Sequence, residues 1–166
     1  MSVLVAISLT TGLLSAFWGW LSIAFGLLTW AGFLGCTTYF ASPKDGPKGL
    51  ALSMLANVSG VFWGMVAIQL STIANIEIVG YIITGVISML MCLQAKKEWL
   101  SYIPGTFIGC CATFASNGNW QLVIPSLVVG VGMGYLMKTS GLYLHAKLNK
   151  KTQAKDANHS DAQNAA

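Results

Sequence analysis

Charge is what this 166-residue chain has least of. Only 8% of its residues are Asp, Glu, Lys or Arg, against roughly 25% in an ordinary soluble domain. A soluble fold of this size needs a charged surface, and fourteen ionisable Lys, Asp and Glu side chains cannot supply one. Three long stretches, Met1 to Pro43, Gly49 to Ile76 and Leu100 to Met137, carry no charge at all. That excludes a soluble globular domain and points to a bilayer.

The apolar stretches also lack the groups that do chemistry. Away from their ends they contain no Asp, Glu, Lys, Arg or His; Glu77, Glu98 and Lys138 stand at boundaries, and His145 and His159 lie beyond the last stretch. Intramembrane ionisable groups are the usual proton relays and ion-coupling sites, so a carboxylate-driven pump or antiporter is not expected. Hydrolytic enzymes need a base or a metal, and neither has a source here. The four cysteines, Cys36, Cys92, Cys110 and Cys111, form no C-x-x-C pair, which leaves zinc without a ligand set. The expectation is no catalytic residue, no cofactor and no metal. Cys36 and Cys110 each follow a glycine and read as small packing residues rather than redox thiols.

What is present is apolar length. An uncharged apolar run of about 20 residues crosses a membrane as a helix. The first stretch is twice that, so it must turn near Gly19 to Gly26. The chain then divides into six predicted spans, about 3–20, 24–42, 49–69, 76–95, 99–115 and 120–139. The first lacks the basic start of a secretory signal and reads as retained. After residue 143 a polar, alanine-rich tail, 144–166, is expected to lack fixed structure. Trp18, Trp20, Trp99 and Trp120 fall at predicted span ends, where tryptophan anchors a helix at the interface.

All nine basic residues are lysines. On a six-span path they fall on one side: Lys44 and Lys48 after span two, Lys96 and Lys97 after span four, Lys138 and the tail lysines after span six. The loops after spans one, three and five have none. By the positive-inside rule both termini are cytoplasmic. The net charge of +4 is therefore a topology signal, not a sign of nucleic-acid binding.

The chain also repeats itself. "FLGCTTYFAS", Phe33 to Ser42, recurs as "FIGCCATFAS", Phe107 to Ser116, and "TGLLS", Thr11 to Ser15, as "TGVIS", Thr84 to Ser88. Beyond these, Gly60 aligns with Gly132 and Asn57 with Val129, with register changes at loops. Three spans per half make the repeat inverted, about 3–70 and 76–140. Such halves build paths through membranes near the midplane in many transporters and channels. The predicted fold is an all-α membrane protein, residues 1–143, with six transmembrane helices as an inverted three-plus-three repeat.

Candidate path-lining residues are the polar, small and aromatic groups that recur or lie deep in a span: Ser15, Phe33, Gly35, Thr37, Thr38, Asn57, Ser88, Pro104, Phe107, Gly109 and Thr113. Each has a packing alternative. Glycines bring helices together. Asn57 makes either an interhelical hydrogen bond or a solute-orienting contact. The phenylalanines are core or an apolar constriction. Pro104 and Pro125 are expected to break helix ladders in the second half, and "YIPGTFIG", Tyr102 to Gly109, is the first choice for a discontinuous, path-lining segment.

At "TTGLLSAFWGW", "WAGFLGCTTYFA", "ITGVISMLMCLQAKK" and "PGTFIGCCATFA" the chain resembles the YcdZ-type bacterial inner-membrane proteins, a domain-of-unknown-function family. The likeness runs from about Val3 to Tyr143. It implies a small multi-pass protein of the bacterial inner membrane and supplies no binding residues. The reading is a channel or facilitator for a small neutral or weakly acidic solute. The alternative is a non-transporting scaffold or accessory subunit. The expected partners are the lipid bilayer, an unidentified small solute and further copies of the chain.

Overall fold

The computed structural model describes the backbone of residues 2–74 and 77–164 and the side chains of 2–73 and 78–150. Those residues form six α-helices: α1 (Val3–Ala24), α2 (Thr29–Phe40), α3 (Gly46–Ala74), α4 (Glu77–Leu93), α5 (Ile103–Ala115) and α6 (Trp120–Asn164). Two 3-10 turns, Gln94–Lys96 and Glu98–Leu100, join α4 to α5. The side chain of Glu77, read as a boundary residue, lies outside the described set.

Six spans of similar length were expected, and the helices correct this. Four segments are long and apolar enough to cross a membrane: Val3–Ala24, Gly46–Ile73, Ile78–Lys96 and Trp120–Lys150. α2 and α5 have 12 and 13 residues. At about 1.5 Å per residue they reach roughly 18–20 Å, short of a hydrocarbon core of about 30 Å. The shortening has local causes. α1 runs four residues past its predicted end and closes in the turn at Gly26, whose φ of 63° suits glycine. The segment after α4 spends Gln94 to Leu100 in 3-10 turns before Pro104 opens α5 in its first turn. Proline has no amide hydrogen to lose there, so Pro104 starts a helix and does not break one. Pro125 does lie inside α6, and that helix continues through it. α6 also continues past Tyr143, so residues 144–150 of the predicted tail are helical.

The short helices lie on the long ones, and in the same direction. Along α6, Ser126 Oγ accepts from the Leu28 amide at 2.9 Å, Gly130 faces Gly32, Gly134 faces Cys36, and the Tyr135 ring meets Tyr39 edge-on at 5.6 Å. Along α3, Ala56 and Asn57 meet Gly105 and Gly109, Gly60 meets Thr106, and Gly64 meets Cys110 and Thr113. α1 runs antiparallel to α6, with Ile7 at Gly141 and Thr10 Oγ1 donating to the Met137 carbonyl at 2.9 Å. α4 packs on α3 through Ile87, Met91 and Ala67.

Trp18 is not an interface anchor. It is fully buried, its Nε1 donates to the Thr29 carbonyl at 3.0 Å, and its indole fills the space that a Cβ on Gly32 would occupy. Trp20, Trp99 and Trp120 are exposed. One end of the bundle gathers charge: Lys44 pairs with Glu98 at 3.1 Å and Lys138 with Asp45, close to Tyr39, whose hydroxyl accepts from the Gly46 amide.

Candidate functional site

Glycine sets the distance between helices, and the distance decides which polar groups meet. A Cβ on Gly109 would fall inside the Asn57 carbonyl, and one on Gly35 inside the Leu127 carbonyl. Backbones in such contact bring the end of α2, the middle of α3 and the start of α5 together. There the Tyr102 hydroxyl donates to the Thr38 carbonyl at 3.0 Å. The Thr38 hydroxyl lies 2.9 Å from the Leu34 carbonyl and 3.1 Å from Asn57 Oδ1. It has one proton for two acceptors. If Leu34 takes it, the amide of Asn57 turns its NH2 to Thr38 instead. In either orientation one end of the Asn57 amide has no partner, and Ser53 Oγ, one turn earlier on α3, has none either. Ser53, Asn57 and Thr38 are each 0% exposed. Leaving a buried polar group unsatisfied costs about 1–3 kcal/mol, which stands against the one hydrogen bond that Thr38 and Asn57 make between α2 and α3.

A different face of α3 is held by a residue that sequence reasoning missed. Gln94 Oε1 accepts from Ser59 at 2.7 Å and from Trp63 Nε1 at 2.9 Å, and its Nε2 donates to Thr106 Oγ1 at 3.0 Å. One amide thus ties α3 to α5 across the turn that follows α4. Gln94 stands at the very end of predicted span four, two residues before Lys96, where an amide passes for a boundary residue.

The sequence candidates divide. Gly35, Thr38, Asn57, Gly109 and Thr113 are buried at the contacts of α2, α3, α5 and α6; Ser15, Ser88 and Phe107 are half-buried; Phe33, Thr37 and Pro104 are exposed. Thr38 and Asn57 are brought together. Thr37, one residue before Thr38, faces outward and bonds the Phe33 carbonyl of its own helix.

The glycine contacts also set a register. Gly60 meets Thr106 and Gly130 meets Gly32; Gly64 meets Cys110 and Thr113, while Gly134 meets Cys36 and Tyr39; Gly109 meets Asn57 and Gly35 meets Leu127. Gly132, matched to Gly60 in the sequence alignment, has nothing near it. The contacts therefore match Gly60 with Gly130 and Asn57 with Leu127, two residues from the sequence alignment. In that register Ser53, Asn57 and Thr38 correspond to Val123, Leu127 and Ala112, which share one fully buried apolar cluster. Among the described residues, no group of three His, Cys, Asp or Glu could hold a metal ion.

Four helices able to cross a bilayer, with two short helices packed between them, define an all-helical membrane protein. The chain belongs to the family described as Protein of unknown function (DUF1097), which matches residues 8–142. It is 56% identical to Inner membrane protein YcdZ of Escherichia coli (strain K12) over 151 residues, 90% of this chain and 93% of that protein. It is 53% identical to Inner membrane protein YcdZ of Salmonella typhimurium over 148 residues, 89% of this chain and 92% of the relative. It is 27% identical to Uncharacterized protein YahC of Escherichia coli (strain K12) over 168 residues, 94% of this chain and 99% of the relative. No solved structure matches the chain.

Proposed function

We propose that this is a bacterial inner-membrane facilitator for a small neutral or weakly acidic solute, built as two inverted halves with both termini in the cytoplasm. It is not an enzyme in this reading. Each half contributes a long helix pair and one short helix, and each short helix lies on the long helix of the other half. The inverted repeat is supported by the matched glycine contacts. The inner-membrane placement is supported by the names of the relatives, and the orientation by the lysines at one end of the bundle.

The observation that carries the solute reading is the broken match. Two equivalent places in one molecule pack equally tightly. One is filled by Ala112, Val123 and Leu127 and the other by Thr38, Ser53 and Asn57, with two polar atoms left over. The apolar set already serves as packing at its own place, so the polar set answers a different need. An unpaired amide end and a hydroxyl suit a small hydrogen-bonding solute passing between α2, α3 and α5.

The test is the transplant Thr38→Ala, Ser53→Val and Asn57→Leu, which copies the dry place into the polar one. The expected result is folded protein of undiminished yield whose liposomes lose flux of small acids, amides or polyols at least ten-fold. Flux equal to that of the unaltered protein would remove the site from the path. The second reading, a non-transporting scaffold, is favoured by one observation: Gly35 and Gly109 are closed against backbone. If no solute in that screen moves faster than through empty liposomes, the scaffold reading replaces the first.

A further inference from the structure

The outward face of α3 carries a groove that the solute reading does not use. It begins in a hollow of about 320 Å³ lined by Lys44, Lys48, Leu55 and Trp99. Leu55 and Trp99 also line a second hollow of about 350 Å³, which runs to Val58 and Phe62. Val58 and Phe62 in turn line a third, of about 370 Å³, that ends at Gln69 and Trp120. The shared residues place the three hollows side by side along α3, and together they form its furrowed outer face. From Lys48 to Gln69 it follows α3 for about 32 Å at about 1.5 Å per residue, the thickness of a hydrocarbon core.

The furrow is chemically lopsided. Its walls are mostly apolar, with Ser59, Gln94 and Gln69 among them, and the cations that line it, Lys44 and Lys48, stand together at one end beside one carboxylate, Glu98. Lys48 makes no ion pair among the described residues. Lys44 pairs with Glu98, but the Glu98 side chain is 88% exposed, and an ion pair so open to water holds its partner weakly. That end of the bundle has five lysines, Lys44, Lys48, Lys96, Lys97 and Lys138, against the two carboxylates Asp45 and Glu98. Trp99, at the mouth of the furrow, is placed where an indole meets headgroups.

We infer that the Lys44–Lys48 end of this furrow is a binding site for an anionic phospholipid, with the phosphate at the two lysines and one acyl chain lying along Leu52 and Leu55 to Val58. A chain from that end spans half the core, about 15 Å, and Lys48 to Val58 is ten residues, about 15 Å of helix. The lysines select the anionic headgroup over a zwitterionic one, because the second carries its own cation into a positive site. The far end, at Gln69 and Trp120, has no cation and takes lipid without regard to headgroup charge.

The experiment is native mass spectrometry of the full chain released from micelles holding equimolar phosphatidylglycerol and phosphatidylcholine. The expected result is one retained phosphatidylglycerol in preference to phosphatidylcholine. Lys44→Gln with Lys48→Gln should lower that preference about thirty-fold, the loss expected for two lysines near a headgroup. Lys96→Gln with Lys97→Gln, outside the furrow, should leave it unchanged. Equal retention of the two lipids, or an equal loss in both lysine pairs, overturns the site in favour of diffuse surface attraction. Leu55→Cys in a cysteine-free background supplies the remaining arm. A disulfide-linked dimer formed in liposomes through Leu55 would show that a second copy covers the furrow, and would also overturn the proposal.

Discussion

At Gly109 and Gly35 a single hydrogen atom in place of a methyl group lets two helices touch through their backbones. Gly109→Ala and Gly35→Ala each place a Cβ inside a carbonyl oxygen of the neighbouring helix, so α5 must move off α3, or α2 off α6. Each is expected to lower stability by about 1–3 kcal/mol, the range for overpacking a close contact, read as a drop in the detergent melting midpoint. Gly132→Ala meets nothing within 4 Å and should be neutral or slightly stabilising, because alanine favours the helix. Gln94→Leu removes three hydrogen bonds at once and should cost about 2 kcal/mol, at about 0.6 kcal/mol for each such bond in a membrane protein. Gly35 and Gly109 were legible in the sequence because a duplicated phrase kept them and close packing demands them. Asn57 was legible as the one amide deep in an uncharged run. Gln94 and Ser53 were not. Their importance lies in which helix comes to rest against them, and a side chain's type does not state its neighbour. Trp18 was misread for the same reason: the indole looks like an anchor until Gly32, fourteen residues later, is known to leave room for it.

Among the elements, the lengths of α2 and α5 are what sequence reading missed. Hydropathy marks where the chain avoids water and says little about where a helix begins inside an apolar run. Turns near Gly26 and before residue 99 are foreseen from the sequence, but with spans two and five opening at about 24 and 99, whereas α2 begins at Thr29, after the turn at Gly26, and α5 at Ile103, after the 3-10 turns. A short helix can sit at membrane depth only if its ends are covered by protein, because unpaired backbone groups are costly in lipid. The Leu28 amide meets this demand on Ser126 Oγ. Ser126→Ala should therefore unsettle the start of α2, seen as faster hydrogen exchange at Leu28 to Gly32 with the rest of the protein unchanged. The loops test the topology. With all native cysteines replaced, a cysteine at Asn119 is expected to react with a membrane-impermeant thiol reagent on intact spheroplasts, and one at Lys97 is not. Reaction at Lys97 with none at Asn119 would reverse the orientation, and equal reaction at both would undo the inverted-repeat reading.

Seen whole, the molecule is tied crosswise: α2 lies on α6, and α5 on α3. The second pairing joins helices close in sequence. The first does not, because about 80 residues separate the end of α2 at Phe40 from the start of α6 at Trp120. At about 5–20 residues per second the ribosome needs roughly 4–16 s to make them. For that time α2 waits in the bilayer without α6, its Gly35 and Cys36 uncovered although Trp18 of α1 already lies against Gly32. The protein thus has a vulnerable interval in its manufacture that the finished fold conceals. A nascent chain stopped before Trp120 lacks the helix that covers α2, whereas one stopped after Met137 already holds it.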